Sequence, residues 1–212
     1  MGITTLLDIV GSSLTFGLLV LATLRMNIAA TENNYAFNQS YLLQRNMVVL
    51  TVMLEDDLRH VGAQVYDAAG GVVYADTSDL KFRAILPNNV TGVPNTIEWK
   101  LEATAPKGTP NPNIRYLSRI VDGVKDSMNL GVTRFVLNYW HVVDPTVKLT
   151  TPMSNTTSPN PCGNIGPVSV TIQLESPYKM KLHYTSDTTS QYEMVWRQLR
   201  SVSRNNSVQF PQ

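Results

Sequence analysis

An apolar run near the N-terminus constrains this chain more than any other feature. Ile3 to Leu24 reads ITTLLDIVGSSLTFGLLVLATL, mostly apolar and compatible with a helix. About twenty residues at ~1.5 Å rise each are enough to cross a bilayer. The run holds one ionisable residue, Asp8, and Arg25 closes it. A helix apolar on nearly all sides has to be surrounded, by lipid or by other helices. Its polar residues Thr4, Thr5, Ser12, Ser13 and Thr15 are small, which lets helices approach closely. A secretory signal is the first alternative. Such signals start with Lys or Arg, and no basic residue precedes this run. The run is also too long, and Leu24-Arg25-Met26-Asn27 is a poor cleavage site, which leaves Ala29-Ala30. A buried core helix is the second alternative.

The chain has 212 residues, and its net charge is +1, from 17 basic and 16 acidic side chains. Roughly 150 residues remain for a head, enough for one domain with a real core. No basic block stands out, which argues against nucleic acid as a partner. The single cysteine, Cys162, excludes an intrachain disulfide and a cysteine-based metal cluster. His60, His141 and His183 are far apart in sequence, and there is no phosphate-binding glycine motif. No acid pair, Ser-His arrangement or metal-ligand spacing stands out, so neither catalysis nor a cofactor is expected.

Arg25 to Ser40 is polar, with Asn33-Asn34 at its middle, a stretch that continues the helix weakly or breaks it. From Tyr41 to about Asp67 the pattern is helical. Leu43, Met47, Leu50, Leu54, Leu58, Val61 and Val65 recur at steps of three or four and form one apolar stripe. That stripe is expected to pack on the head's own sheet. Glu55 and Arg59 stand four apart in the favourable order on another face, and Gly70-Gly71 is the expected stop.

Beyond Gly71 the period changes from helical to two. Val72–Tyr74, Leu80–Ala84, Thr96–Glu102, Ile114–Val121, Phe135–Tyr139, Val168–Leu174 and Tyr192–Val202 read as strands. Turn signals at Pro87-Asn88-Asn89, Asp122-Gly123 and Asp187 separate them. Alternation with turns between predicts an antiparallel sheet with one wet face. One long helix followed by strands predicts an α+β layer architecture. The expected division is an apolar helix over 1–25, an amphipathic continuation over 26–69 and a β-sheet head over 70–212. Pro106–Asn113 reads as a hairpin loop. Residues 144–167, dense in Thr, Pro, Ser and Asn, read as a long surface loop that tolerates change.

In this order of elements the chain resembles the type IV pilin-like family, in particular the minor pseudopilins of the J type and related minor pilins. Leu54-Glu55-Asp56-Asp57-Leu58-Arg59-His60-Val61-Gly62 is similar to the acidic-Leu-Arg-x-x-Gly segment late in that family's helix. Asp79-Leu80-Lys81-Phe82 is similar to its first strand, and Thr96-Ile97-Glu98-Trp99 with Leu117-Ser118-Arg119 to its next hairpin. Gly131-Val132-Thr133-Arg134-Phe135 with Tyr139, Val168 to Leu174, and the closing Arg204-Asn205 also fit. Family precursors carry a basic leader ending in Gly and a glutamate a few residues beyond it. Here Met1-Gly2 is at most a vestigial leader, and Asp8 stands one place later than that glutamate.

The resemblance implies a structural subunit of an extracellular filament or of a secretion pseudopilus. The subunit would rest in the inner membrane before assembly, then polymerise with itself or with other pilin-like subunits in a filament or a periplasmic pseudopilus. It implies an assembly role for the helix, with Asp8 and Arg25 as candidate residues. Asp8 has two readings. In one it is a solvated residue near the membrane interface, weakly favoured by the helix dipole. In the other it pairs with the amino terminus of a neighbouring subunit, which offsets the ~2.5–3.5 kcal/mol that a carboxylate costs inside a membrane helix. A bitopic membrane protein whose extracytoplasmic head binds a partner is the alternative function.

Overall fold

The computed structural model describes residues 2–65, 70–87, 89, 91–156, 161–180 and 191–202, with the backbone alone for Thr4 and Leu6. The sequence readings on Asp187, His183 and Arg204-Asn205 fall outside these residues.

One helix, α1, runs Ile3–Arg59 over 57 residues. It starts on Gly2, whose carbonyl accepts both the Thr5 N–H at 3.0 Å and the Thr5 hydroxyl at 2.6 Å. Asn33-Asn34 does not interrupt it. It ends at Arg59, short of the expected Asp67. Gly62 explains the earlier stop. It takes φ +71°, a left-handed conformation that glycine adopts without Cβ strain, and its N–H donates to the Arg83 carbonyl at 2.9 Å. Val61 is buried just past the helix, whereas Val65 lies in a non-helical turn and is half-buried. Val65 is therefore not a member of the helical stripe, although its spacing continues the pattern.

The chain parts into two compact units, Met1–Tyr41 and Leu42–Gln212. In the second, nine strands follow the C-terminal part of α1 among the described residues. They are β1 (Val72–Ala75), β2 (Asp79–Ala84), β3 (Asn95–Leu101), β4 (Leu117–Val121), β5 (Val124–Met128), β6 (Val132–His141), β7 (Met153–Ser154), β8 (Ile165–Met180) and β9 (Gln191–Val202). The expectation was one sheet, and the described residues form two. Six strands pair in the order β5-β4-β3-β2-β1-β7, three in the order β6-β8-β9, and all pairings are antiparallel. The break falls at Gly131, which has φ +83°. A Cβ there would stand 2.7 Å from the Glu175 carbonyl oxygen, so only glycine lets the chain turn this closely against β8. The two sheets join through Leu137 N–H to the Thr77 carbonyl at 2.8 Å and Tyr139 hydroxyl to the Asp76 carbonyl at 2.9 Å.

Both sheets and the helix share one core. Leu43, Met47, Leu50, Leu54 and Leu58 of α1 are buried in one cluster with Phe82, Ile97 and Trp99 of one sheet and Phe135, Leu137 and Ile172 of the other. Alternation produces this result: Leu80, Phe82 and Ala84 are buried, with Lys81 and Arg83 between them half-buried.

The expectation of a change-tolerant loop over 144–167 is corrected by its middle. Met153–Ser154 adds to β1 as an edge strand, and Met153, Cys162 and Ile165 are buried. Three apolar anchors among many prolines and asparagines are too sparse to show a period, but they tie the segment to the core.

Candidate functional site

The first unit is helix, and its apolar surface is bare. Leu7 is 67% exposed and Phe16 69%, and no part of the most apolar eighteen-residue window is buried. Apolar surface on this scale marks a membrane or protein interface. The hydroxyls in it are satisfied locally. Ser12 donates to the Asp8 carbonyl, Thr15 to Gly11 at 2.8 Å, and Thr23 to Leu19 at 2.8 Å. Back-bonding of this kind hides a hydroxyl from its surroundings, so these residues suit an apolar environment while keeping the surface small. Asp8, Gly11, Ser12 and Thr15 stand at steps of three and four and share one helix face.

Asp8 and Arg25 are both exposed on this helix. Seventeen residues of helix set them ~25 Å apart, so they do not pair within the chain. Among the described residues neither forms an ion pair.

In the second unit α1 has two apolar faces. One carries the buried Leu43, Met47, Leu50, Leu54 and Leu58. The other leaves Leu42, Val48, Val49 and Val52 exposed, Val52 by 60%. The sequence reading followed one stripe and missed the second. The signal was present, because Val48-Val49 and Val52 repeat at three and four.

The helix is locked to the sheet by a buried ion pair that the sequence reading also missed. Asp57 is only 3% exposed. Its Oδ2 accepts from Arg119 Nε at 2.7 Å and from Trp99 Nε1 at 2.7 Å, and its Oδ1 accepts from Arg119 Nη2 at 2.8 Å. The guanidinium fork thus meets the carboxylate with two bonds, the strong form of this pairing. The hydrogen bond to Asp57 raises the pKa of Arg119 above its ordinary value. Neighbouring Asp56 points to water, its side chain 71% exposed. The available signal was spacing. Asp57 stands three after Leu54, on the apolar stripe, where an unpaired acid would be costly.

Elsewhere little chemistry is available. The Cys162 thiol is pushed up to about 11 by burial, which leaves it a weak nucleophile at neutral pH. Among the described residues no group of three His, Cys, Asp or Glu is placed to hold a metal.

The fold is α+β, one long N-terminal helix with antiparallel sheets, and the helix is apolar and long enough to cross a membrane. No family model matches the chain, and neither a curated protein nor a solved structure matches it.

Proposed function

We propose that this protein is a pilin-like structural subunit that assembles through its N-terminal helix into an extracellular filament or a secretion pseudopilus. The observation that carries this reading is the bare apolar helix of the first unit, joined in one continuous α1 to a helix that its own sheets cover. Before assembly, lipid of the inner membrane would surround the apolar helix; after assembly, the helices of neighbouring subunits would. Lipid tails are as apolar as the side chains they replace, so burial alone does not drive that exchange. Close approach does, and Gly11, Ser12 and Thr15 present a small surface with its hydroxyls already bonded. Asp8 on the same face then pairs with the amino terminus of the next subunit and fixes the axial register between them. Extracytoplasmic heads would form the outer surface, and the Asp57–Arg119 pair would hold the C-terminal part of α1 to the sheet within each head. The subunit acts structurally, without catalysis or cofactor.

Electron microscopy of sheared cell-surface material, with N-terminal sequencing of the subunit, tests the reading. The expected result is filaments containing this chain that sediment without detergent. A chain that stays wholly with membrane, and leaves it only as a monomer in detergent, would refute assembly and favour a simple anchor.

A further inference from the structure

The outer face of the β6-β8-β9 sheet carries an arrangement that the assembly reading does not use. Its register sets side chains in cross-strand rows. Trp196, Gln173 and Arg134 form one row, Gln198, Thr171 and Val136 the next, and Arg200, Ser169 and Asn138 the third. Trp140 follows on β6, bridged to Lys148, and the Arg200 guanidinium lies 5.4 Å from the Trp140 ring centroid. At ~3.3 Å per residue, the six residues from Arg134 to Trp140 extend this face by about 20 Å. Each end therefore holds a tryptophan and a cation, with amides and hydroxyls between.

Trp196 is the anomaly. It is 66% exposed on the outer face of the sheet, and among the described residues it makes no hydrogen bond or ring contact. Arg134, in its row, is exposed and has no ion pair among the described residues. Beside that row opens a cleft of about 570 Å³ whose lining includes Asn113, Arg115, Thr133, Arg134, Gln173 and Glu175. Arg115 is steadied at its mouth by donating to the Ile114 carbonyl at 2.9 Å. Two acids, Glu102 and Glu175, line the same cleft. Glu102 meets Lys125 at 2.7 Å, and Glu175 accepts from Asn111 at 3.0 Å and Gln173 at 3.1 Å. With Glu102 paired to Lys125, two guanidiniums that form no ion pair among the described residues stand against one carboxylate, Glu175, and this net positive charge at one cleft suits an anion.

We propose that this face binds an acidic polysaccharide, a chain of pyranose rings bearing carboxylates. The apolar C–H face of one ring stacks on Trp196, its carboxylate sits between Arg134 and Arg115, and following rings run along the sheet toward Trp140. Gln198, Thr171 and Asn138 exchange hydrogen bonds with sugar hydroxyls, using both donor and acceptor atoms. A single-stranded nucleic acid also stacks on aromatic rings, but it needs a groove whose cations track every phosphate. Here Arg134, Arg200 and Lys148 are spread along the whole face, and the rows between carry amides and hydroxyls.

The full chain in non-ionic micelles is titrated by calorimetry with polygalacturonate oligomers, with their fully methyl-esterified form, and with oligothymidylate. The expected result is binding of polygalacturonate that weakens with salt, little binding of the neutral ester, and a loss of about tenfold or more in Trp196→Ala and in Arg134→Gln. Both side chains are exposed, and circular dichroism should show both variants folded. No binding of polygalacturonate overturns the proposal, as does binding that neither variant changes. Tighter binding of oligothymidylate, lost in the same variants, overturns it in favour of nucleic acid.

Discussion

Replacing Asp57 by Asn keeps the shape of the side chain and removes the charge that holds α1 to β3 and β4. Three hydrogen bonds at 2.7, 2.7 and 2.8 Å depend on that carboxylate. Hydrogen bonds to charged groups contribute ~1.5–3 kcal/mol each, and breaking a buried pair by removing one partner costs ~3–5 kcal/mol. The Arg119 side chain is 27% exposed, so water recovers part of its solvation. That places Asp57→Asn near the lower end, about 3 kcal/mol. Arg119→Met strands the carboxylate, which is only 4% exposed, and belongs near the upper end, about 4–5 kcal/mol. The double variant removes both charges, so its cost should fall short of the sum by about 2 kcal/mol or more. The measurement is urea unfolding of a chain begun at Thr31, followed by tryptophan fluorescence, since Trp99 reports on this contact. A domain of this size should also lose about 6–12 °C in Tm for Asp57→Asn. A cost below about 1 kcal/mol, or costs that add within about 0.5 kcal/mol, would refute the view that these residues form one unit.

The same shortened chain is expected to be soluble and monomeric, and loss of cooperative unfolding would count against an independent head. In it, Leu54→Ala should cost ~2–5 kcal/mol, because Leu54 is buried on the sheet-facing stripe. Met153→Ala should also cost ~2–5 kcal/mol if β7 is part of the core, and an unchanged urea midpoint would return residues 144–167 to a passive loop. Glu102 is held below the ordinary carboxylate range, first by its hydrogen bond with Lys125. A depressed folded pKa means that its stabilisation is present above the unfolded value near 4.3 and is lost as pH falls through the folded value. Glu102→Gln should therefore lower stability at pH 7 and flatten its decline in acid; equal slopes in the two proteins would show that this pair carries no linkage. Asp8→Asn should reduce filament yield while leaving head folding and membrane insertion intact, and wild-type yield would return Asp8 to a solvated role.

Composition and spacing along one segment determined much of this protein. The apolar run from Ile3 to Leu24 sets the need for a cover, because its character is a sum over consecutive side chains. Leu43, Met47, Leu50, Leu54 and Leu58 are legible for the same reason: a period of 3.6 places them on one face before any partner is known. Alternation likewise marks which residues of β2, β3, β6 and β8 point inward. What alternation does not encode is the partner strand. Val132–His141 reads the same whether it joins the first sheet or opens a second, and the close pass of Gly131 against Glu175 decides it. Val124–Met128, with no buried residue, carried too little apolar signal to be read as a strand. The helix stop lay in Gly62 rather than in the later glycines, because the Arg83 carbonyl that receives its N–H comes from β2. Asp57 and Arg119 lie 62 residues apart, and nothing local to either names the other. Tertiary structure alone brought them within 2.7 Å, since a charge on an apolar stripe is affordable only where the fold supplies its opposite.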